Sequence, residues 1–574
     1  MVNPIAQISC WVVGDSTEGC KHPEGFYVNK SLDGKASRHN SELFMDIPLF
    51  PGRSIAIGRD HHENDISINH PYVSRRHFVI YSVVYDLEDI QTQSPLIYVR
   101  DRKSLEGTYV DDVCIGNREK GSSSGFYLSR DVVVTIKPHW KFRVSLLDHS
   151  DLKSPWTAIQ LKESSLFNNR YIISNRILGS GAFASVHLAV DAKTGKQLAC
   201  KVHDLDRLRR SPHSGDQIRR IVDETDILGK LRHPNLPIFV YAIRSRHTLY
   251  TFTELATGGD LFSMRLVQGV FTEQDSKLVL LQIVNAIKYL HEGGIAHRDL
   301  KPENVLFATG PHVTGRVIVG DLGFARSAAS GRMASRVGTN HEVECGLNHD
   351  LSIDIWSLGM IAIFLLAPDH HAAPSNLVKV SQAAINAWLY SVFGDPSHQK
   401  ISDNCKSFIK SCLMFEPKRR IGASEAKQHP WFRQDPGKRQ CRFRLEENTK
   451  IWKPVHVIAP PVQQLPDLGN VANTTQLRKQ DDASCISSSP TVLNKRKLID
   501  TALGTNSSQE SPYFGGPWPV TAKRSKTSEM NKEDIREANL IFASSNEQSV
   551  ATSSSLDIAW SFPVGMNSDQ PVSC

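Results

Sequence analysis

The chain has 574 residues, 40% hydrophobic and 22% charged, with a net charge of +7 and ten cysteines. The length gives room for several domains, and so small a positive surplus permits phosphorylated or acidic partners while giving no ground for a nucleic-acid binder. The cysteines form no CxxC pair or Cys/His cluster, which argues against a zinc module and leaves reduced thiols as the expectation. No basic leader opens the chain, and its longest apolar run, LGMIAIFLLA (358–367), is about half a membrane span. A soluble intracellular protein with no membrane partner and no direct nucleic-acid contact is expected.

Residues 1–45 are weakly patterned and read as an N-terminal extension. Over 46–148 come β-type runs, HFVIYSVVYD (77–86), LIYVRD (96–101) and DVVVTIKPHWKFRVSLLD (131–148), separated by Gly, Asn and Asp turns. This texture predicts a β-sandwich with ligand contacts on its loops. A polar linker (149–170) follows. From 171 to 432 strands come first, then helical patterns such as DSKLVLLQIVNAIKYLHEGG (275–294). Beyond 433 the chain is rich in Ser, Thr, Asn, Gln and Pro, and a largely disordered tail is expected.

The segment 171–432 carries an ordered set of phosphate-handling motifs. LGSGAFASVHLA (178–189) offers Gly179 and Gly181 to close over phosphates, with Val186 on the strand behind and Ala184 where a third glycine commonly stands. LACKV (198–202) places Lys201 on a later strand, and Glu224 is the helix-borne carboxylate that could fix it. Then come His297-Arg298-Asp299-Leu300-Lys301-Pro302-Glu303-Asn304 and Asp321-Leu322-Gly323. A turn glycine or a capping Asp is unremarkable alone; the run of residues in this order is not.

The set resembles the eukaryotic protein-kinase catalytic domain, an α+β bilobal fold. The resemblance implies ATP and Mg²⁺ as cofactors. Asp299 would accept the substrate hydroxyl's proton, Lys301 would neutralise the moving phosphoryl, and Asn304 and Asp321 would hold the metal. Glu254 and Ala256 would belong to the adenine hinge, behind a gatekeeper at Thr253. Asp260 would lie near the ribose, Asp354 would brace the catalytic loop, and Arg420 would pair with the glutamate that ends the activation segment. Lys301 points to Ser/Thr substrates, Arg298 to control by phosphorylation, and Asp260 with Glu303 to a basic residue N-terminal to the target, as in calcium/calmodulin-dependent-type kinases.

Ser327, Ser330, Ser335 and Thr339 are the hydroxyls of the activation segment open to phosphorylation. That segment departs from the family pattern. Where such kinases read Gly-Thr-Pro-x-Tyr-x-Ala-Pro-Glu, residues 338–342 read Gly-Thr-Asn-His-Glu. Thr339 and Glu342 remain, but the floor of the peptide groove is shortened.

In the β-rich region, Gly58-Arg59, Asn64-Asp65-Ile66, Ser74-Arg75-Arg76-His77 and Glu106-Gly107-Thr108 resemble the forkhead-associated (FHA) domain, a phosphothreonine-binding sandwich. The resemblance implies phosphate contacts from Arg59, Ser74 and Arg75. His77 would brace a loop and Gly107 form a turn. Glu106 stands where the family commonly has an Asn, replacing an amide donor with a negative charge.

FHA followed by a Ser/Thr kinase is similar to the DNA-damage and meiotic checkpoint effector kinases. Nuclear localisation fits the basic clusters Lys495-Arg496-Lys497 and Lys523-Arg524-Ser525-Lys526. Capture of phosphorylated Thr475 by another copy would allow transient self-association. The leading expectation is an active kinase recruited by phosphothreonine; the alternative is a pseudokinase scaffold, favoured by the short 338–342 segment.

Overall fold

The computed structural model describes residues 3–12, 26–28, 35–39, 42–84, 95–119, 124–147, 155–180, 184–211, 214–312, 314–323, 325–327, 347–367, 381–394, 401–433, 446, 452 and 462–468. The N-terminal part is the expected sandwich. One sheet orders Val113–Gly116, Thr108–Val110, Val132–Ile136, Trp140–Leu146, Ala6–Val12, Glu42–Leu49 and Lys35–His39. The other orders Phe126–Tyr127, Leu96–Asp101, Phe78–Val83, Ser54–Gly58, Ile66–Ile68 and Phe26–Val28. Ile8, Ile47, Ile55, Phe78, Ile80, Val134 and Phe142 fill the space between them.

The N-terminal extension is a correction. Ala6–Val12 is an interior strand, antiparallel to Trp140–Leu146 on one side and Glu42–Leu49 on the other. Ala6, Ile8 and Cys10 alternate into the core, a period-two signal too brief to stand out from its surroundings. Ile8 is fully buried, so Ile8→Ala is expected to cost about 2–5 kcal/mol, read as a lower urea midpoint for the sandwich.

The linker is a second correction. Ala158–Phe167 is a helix opened by a capping box between Thr157 and Gln160. Phe167 packs on Tyr250 and Phe252, and the buried Glu163 accepts a 2.9 Å hydrogen bond from the Tyr250 hydroxyl. This segment belongs to the upper lobe of the second domain.

That lobe is an antiparallel sheet of Tyr171–Ser180, Ala184–Asp191, Gln197–Asp204, Thr248–Glu254 and Phe239–Arg244, with the helix Ser214–Lys230 beside it. Within the tail expected to lack structure, Gln463–Gln464 adds a parallel strand to Phe239–Arg244. Val462 and Leu465 anchor it in two small apolar clusters. The lower lobe gathers the helices Leu261–Gln268, Glu273–Glu292, Leu347–Leu366, Gln382–Gly394 and Asp403–Cys412 around one large core. Among the described residues, no helix is long and apolar enough to cross a membrane.

Candidate functional site: a catalytic cleft and a phosphopeptide-type loop cluster

Lys201 sits on a strand paired on both sides, opposite Val186 and Thr251. Its Nζ lies 2.9 Å from Glu224 Oε1 and 2.9 Å from Asp321 Oδ1. Burial pulls the ammonium's pKa down, but the two carboxylates outweigh it and the net shift is upward. At Asp321 burial acts upward and Lys201 reverses it, holding the carboxyl below its ordinary range. Asp321 also takes a left-handed backbone, φ 52°, uncommon for a residue with a side chain.

The loop at 297–304 is held from beneath. Asp354 is fully buried and accepts 2.8 Å hydrogen bonds from the backbone N–H groups of His297 and Arg298. It also bonds the His291 ring at 2.8 Å. Burial works against its charge, but these bonds and the nearby imidazoles keep its pKa low. Arg298 adopts φ 67°, a strained turn that those bonds fix. Asn304 Nδ2 donates to the Asp299 carbonyl at 2.7 Å and to its carboxylate at 2.9 Å, and Lys301 Nζ reaches that carboxylate at 3.1 Å. Asp299, Lys301 and Asn304 therefore form one constellation.

Gly179 has open space where a Cβ would stand; Gly181 lies outside the described residues. At the hinge, the Glu254 side chain turns to the rear. It accepts from the Ile238 N–H at 3.0 Å and pairs with Arg316, whose other nitrogen donates to the Pro234 carbonyl at 2.7 Å. Asp260 stands at the start of the helix that follows the hinge. Its carboxylate caps the helix Leu261–Gln268, accepting from Ser263 N at 2.7 Å and Ser263 Oγ at 2.9 Å. Burial raises that carboxyl to about 6.

Arg420 donates to the carbonyls of Ser352 (2.6 Å) and Met414 (3.1 Å) and lies over the Trp356 ring. The expected partner, Glu342, lies outside the described residues, as do Ser330, Ser335 and Thr339. Of Ser327 only the backbone is described, in a short strand paired with Ile295–Ala296.

In the sandwich, Arg59, Arg75 and Glu106 are exposed on neighbouring loops. Arg59 N donates to the Ser74 carbonyl at 2.9 Å, and Ser74 Oγ accepts from Leu105 N at 2.9 Å. Arg75 is paired with Asp60 at 3.1 Å. His77 is fully buried and braces two of the loops, bonding Ser74 N (3.1 Å) and the Gly107 carbonyl (3.2 Å). Gly107 has φ 86°, and a Cβ there would meet the Gly116 carbonyl at 3.1 Å. A residue missed from sequence is Asp101, which is fully buried and binds Ser104 and Thr108 to shape the loop that presents Glu106.

The protein kinase domain model matches residues 172–432 and the FHA domain model residues 55–123. The meiosis-specific serine/threonine-protein kinase mek1 of Schizosaccharomyces pombe is 30% identical over 400 residues, covering 67% of this chain and 81% of that protein. The chain belongs to the FHA-bearing serine/threonine protein kinases. Calcium/calmodulin-dependent protein kinase type 1 of Caenorhabditis elegans is 30% identical over 319 residues, 53% of this chain and 88% of that kinase. The crystal structure of Rad53 1-466 in complex with AMP-PNP covers 74% of this chain and 99% of that one, at 21% identity and a TM-score of 0.35.

As a protein kinase this FHA kinase uses ATP and a divalent metal, and its sandwich is of the phosphothreonine-binding kind. The scaffold-only alternative finds no support: Lys201, Glu224, Asp299, Asn304 and Asp321 are all present, and each makes a polar contact with another member of the set. Sequence reasoning missed the Arg316–Glu254 pair and the His291–Asp354 bond, because each joins residues far apart in the chain.

Proposed function

We propose that this kinase phosphorylates Ser/Thr residues of proteins that its sandwich recruits through phosphothreonine, in meiotic or damage checkpoint signalling in the nucleus. The observation that carries the catalytic part is the bridge from Lys201 to both Glu224 and Asp321, 2.9 Å each. It marks the aligned arrangement that phosphoryl transfer needs. Asp299 accepts the hydroxyl proton, and Lys301, bonded to it, stabilises charge on the moving group. The hinge from Glu254 to Ala256 takes the adenine, with Val186 and Gly179 covering it.

Mg²⁺ fits the donor set. Asp321 supplies a carboxylate, and the Asn304 amide nitrogen donates to Asp299, which turns its oxygen the other way. Few protein oxygens beside nucleotide phosphates suit this ion; when bound it offsets the charge of the phosphates. With Asp260 committed to a helix cap, the exposed Glu303 carries the preference for a basic residue before the target. Association of copies through phosphorylated Thr475 and nuclear import through the basic clusters belong to the same reading; both features lie outside the described residues.

Two measurements test it. Radiolabelled phosphate should pass from ATP to a basic Ser/Thr peptide, and lack of transfer by full-length protein with Mg²⁺ overturns the catalytic half. A phosphothreonine peptide should bind the intact chain, with Arg59→Ala losing that binding and Glu106→Asn tightening it by several-fold, since a charge-assisted bond carries about 1.5–3 kcal/mol. Equal affinity for wild type and Arg59→Ala removes the reader role.

A further inference from the structure

The outer face of one sandwich sheet is covered by the kinase. In Phe78–Val83 and Leu96–Asp101, Phe78, Ile80, Ile97 and Val99 face the sandwich core. The alternate residues Val79, Tyr81, Val83, Leu96 and Tyr98 face outward, yet with Tyr127 they are buried together with Leu188 and Leu255 of the kinase.

The contact reaches three parts of the kinase at once. On the upper lobe, Gln197 exchanges two hydrogen bonds with the Tyr127 backbone, at 2.8 and 3.1 Å. At the hinge, the fully buried Thr257 hydroxyl accepts from Tyr81 Oη at 3.1 Å and from Gly125 N at 3.1 Å, and donates to the Ala308 carbonyl at 3.2 Å. On the lower lobe, Arg100 donates to Thr309 Oγ1 at 3.3 Å. There a Cβ on Gly310 would stand 2.5 Å from the Tyr81 ring. The apolar cluster continues onto Leu178 and Ala199; Leu178 adjoins Gly179, and Ala199 lies two residues before Lys201 on the same strand.

A body fixed to both lobes and to the hinge restrains their relative rotation, the movement by which a two-lobed cleft opens and closes. Packed aromatic rings and paired buried amides make this a joint with little slack. We propose that the FHA domain is a structural part of the nucleotide site: docked across the hinge, it sets the angle between the lobes, and Tyr81 and Thr257 are positioning residues for ATP. The proposal rests on the catalytic reading above.

The test uses full-length protein. Tyr81→Phe removes one hydroxyl and keeps the ring, Thr257→Val removes the shared hydroxyl, and Gly310→Leu wedges the joint apart. Nucleotide Kd, KM for ATP and kcat are measured with the melting temperature and phosphothreonine-peptide affinity. Weakened nucleotide binding and a raised KM are expected, about five- to twentyfold for Gly310→Leu and smaller for the other two, with peptide affinity retained. Unfolding would lower the active fraction, and with it apparent kcat, but not Kd or KM.

Wild-type Kd and KM in a folded Gly310→Leu protein, with hydrogen exchange showing Tyr81 and the hinge newly exposed, would overturn the proposal. If Gly310→Leu does not fold, Thr257→Val decides by the same readouts. Wild type that binds no nucleotide refutes the catalytic reading instead, so the two failures are distinguishable.

Discussion

An Asp299→Ala protein is expected to bind nucleotide as the parent does and to transfer phosphate about 10²–10⁴ times more slowly. The Asp299 carboxylate is held by Asn304 at 2.9 Å and Lys301 at 3.1 Å. Its backbone is fixed by His297, and the preceding residues hang from the buried Asp354. Losing the carboxylate leaves that scaffold, the Lys201 bridge and the hinge in place. The loss therefore falls on kcat, with the KM for ATP unchanged. Asp299→Asn keeps the size and the bond from Asn304 but cannot accept a proton, so it should be nearly as slow. A rate within a few-fold of wild type for both variants would assign the base elsewhere.

What the sequence made legible follows a physical pattern. The run from His297 to Asn304 was readable because one short loop carries both the reactive groups and the polar atoms that hold it, packed into adjacent positions. Asp354 and Lys201 follow from their place in that order. The cap that Asp260 makes was not legible, because an acid at a helix start can face a ligand or cap the helix, and only the bonds from Ser263 show the second. The helix Ala158–Phe167 left a usable trace, the Thr157–Gln160 capping box, passed over as polar linker. The docked sheet also left one. FVIYSV (78–83) is buried at every position, and an apolar run that does not alternate marks a strand covered on both faces. Tyr81 belongs to that run, and Tyr98 to the equally buried start of the next strand, LIYV (96–99). Which surface covers them depends on contacts as distant as Tyr81 with Thr257, which no local pattern encodes.

Removing the Lys201 ammonium should slow transfer about 10²–10³-fold, the cost of one preorganised charge donor in a catalytic site. Lys201→Arg should recover little, because a planar fork cannot replace a compact charge held between two carboxylates. Glu224→Gln should cost less than Lys201→Ala, since Asp321 still holds the ammonium at 2.9 Å. The Lys201→Ala, Glu224→Gln pair should cost little more than Lys201→Ala alone, because Glu224 acts through Lys201 and the two losses do not add. Carboxylate titration supplies a second readout. Lys201 keeps the Asp321 carboxyl below its ordinary pKa against the upward pull of burial. Without the ammonium that carboxyl moves up, so in the metal-free protein its ionised form is lost at a higher pH on acidification. A carboxylate titration followed by NMR on metal-free protein should show the Asp321 midpoint shifted upward in Lys201→Ala. An unshifted midpoint would mean that the Lys201 ammonium is not what holds the Asp321 carboxyl down.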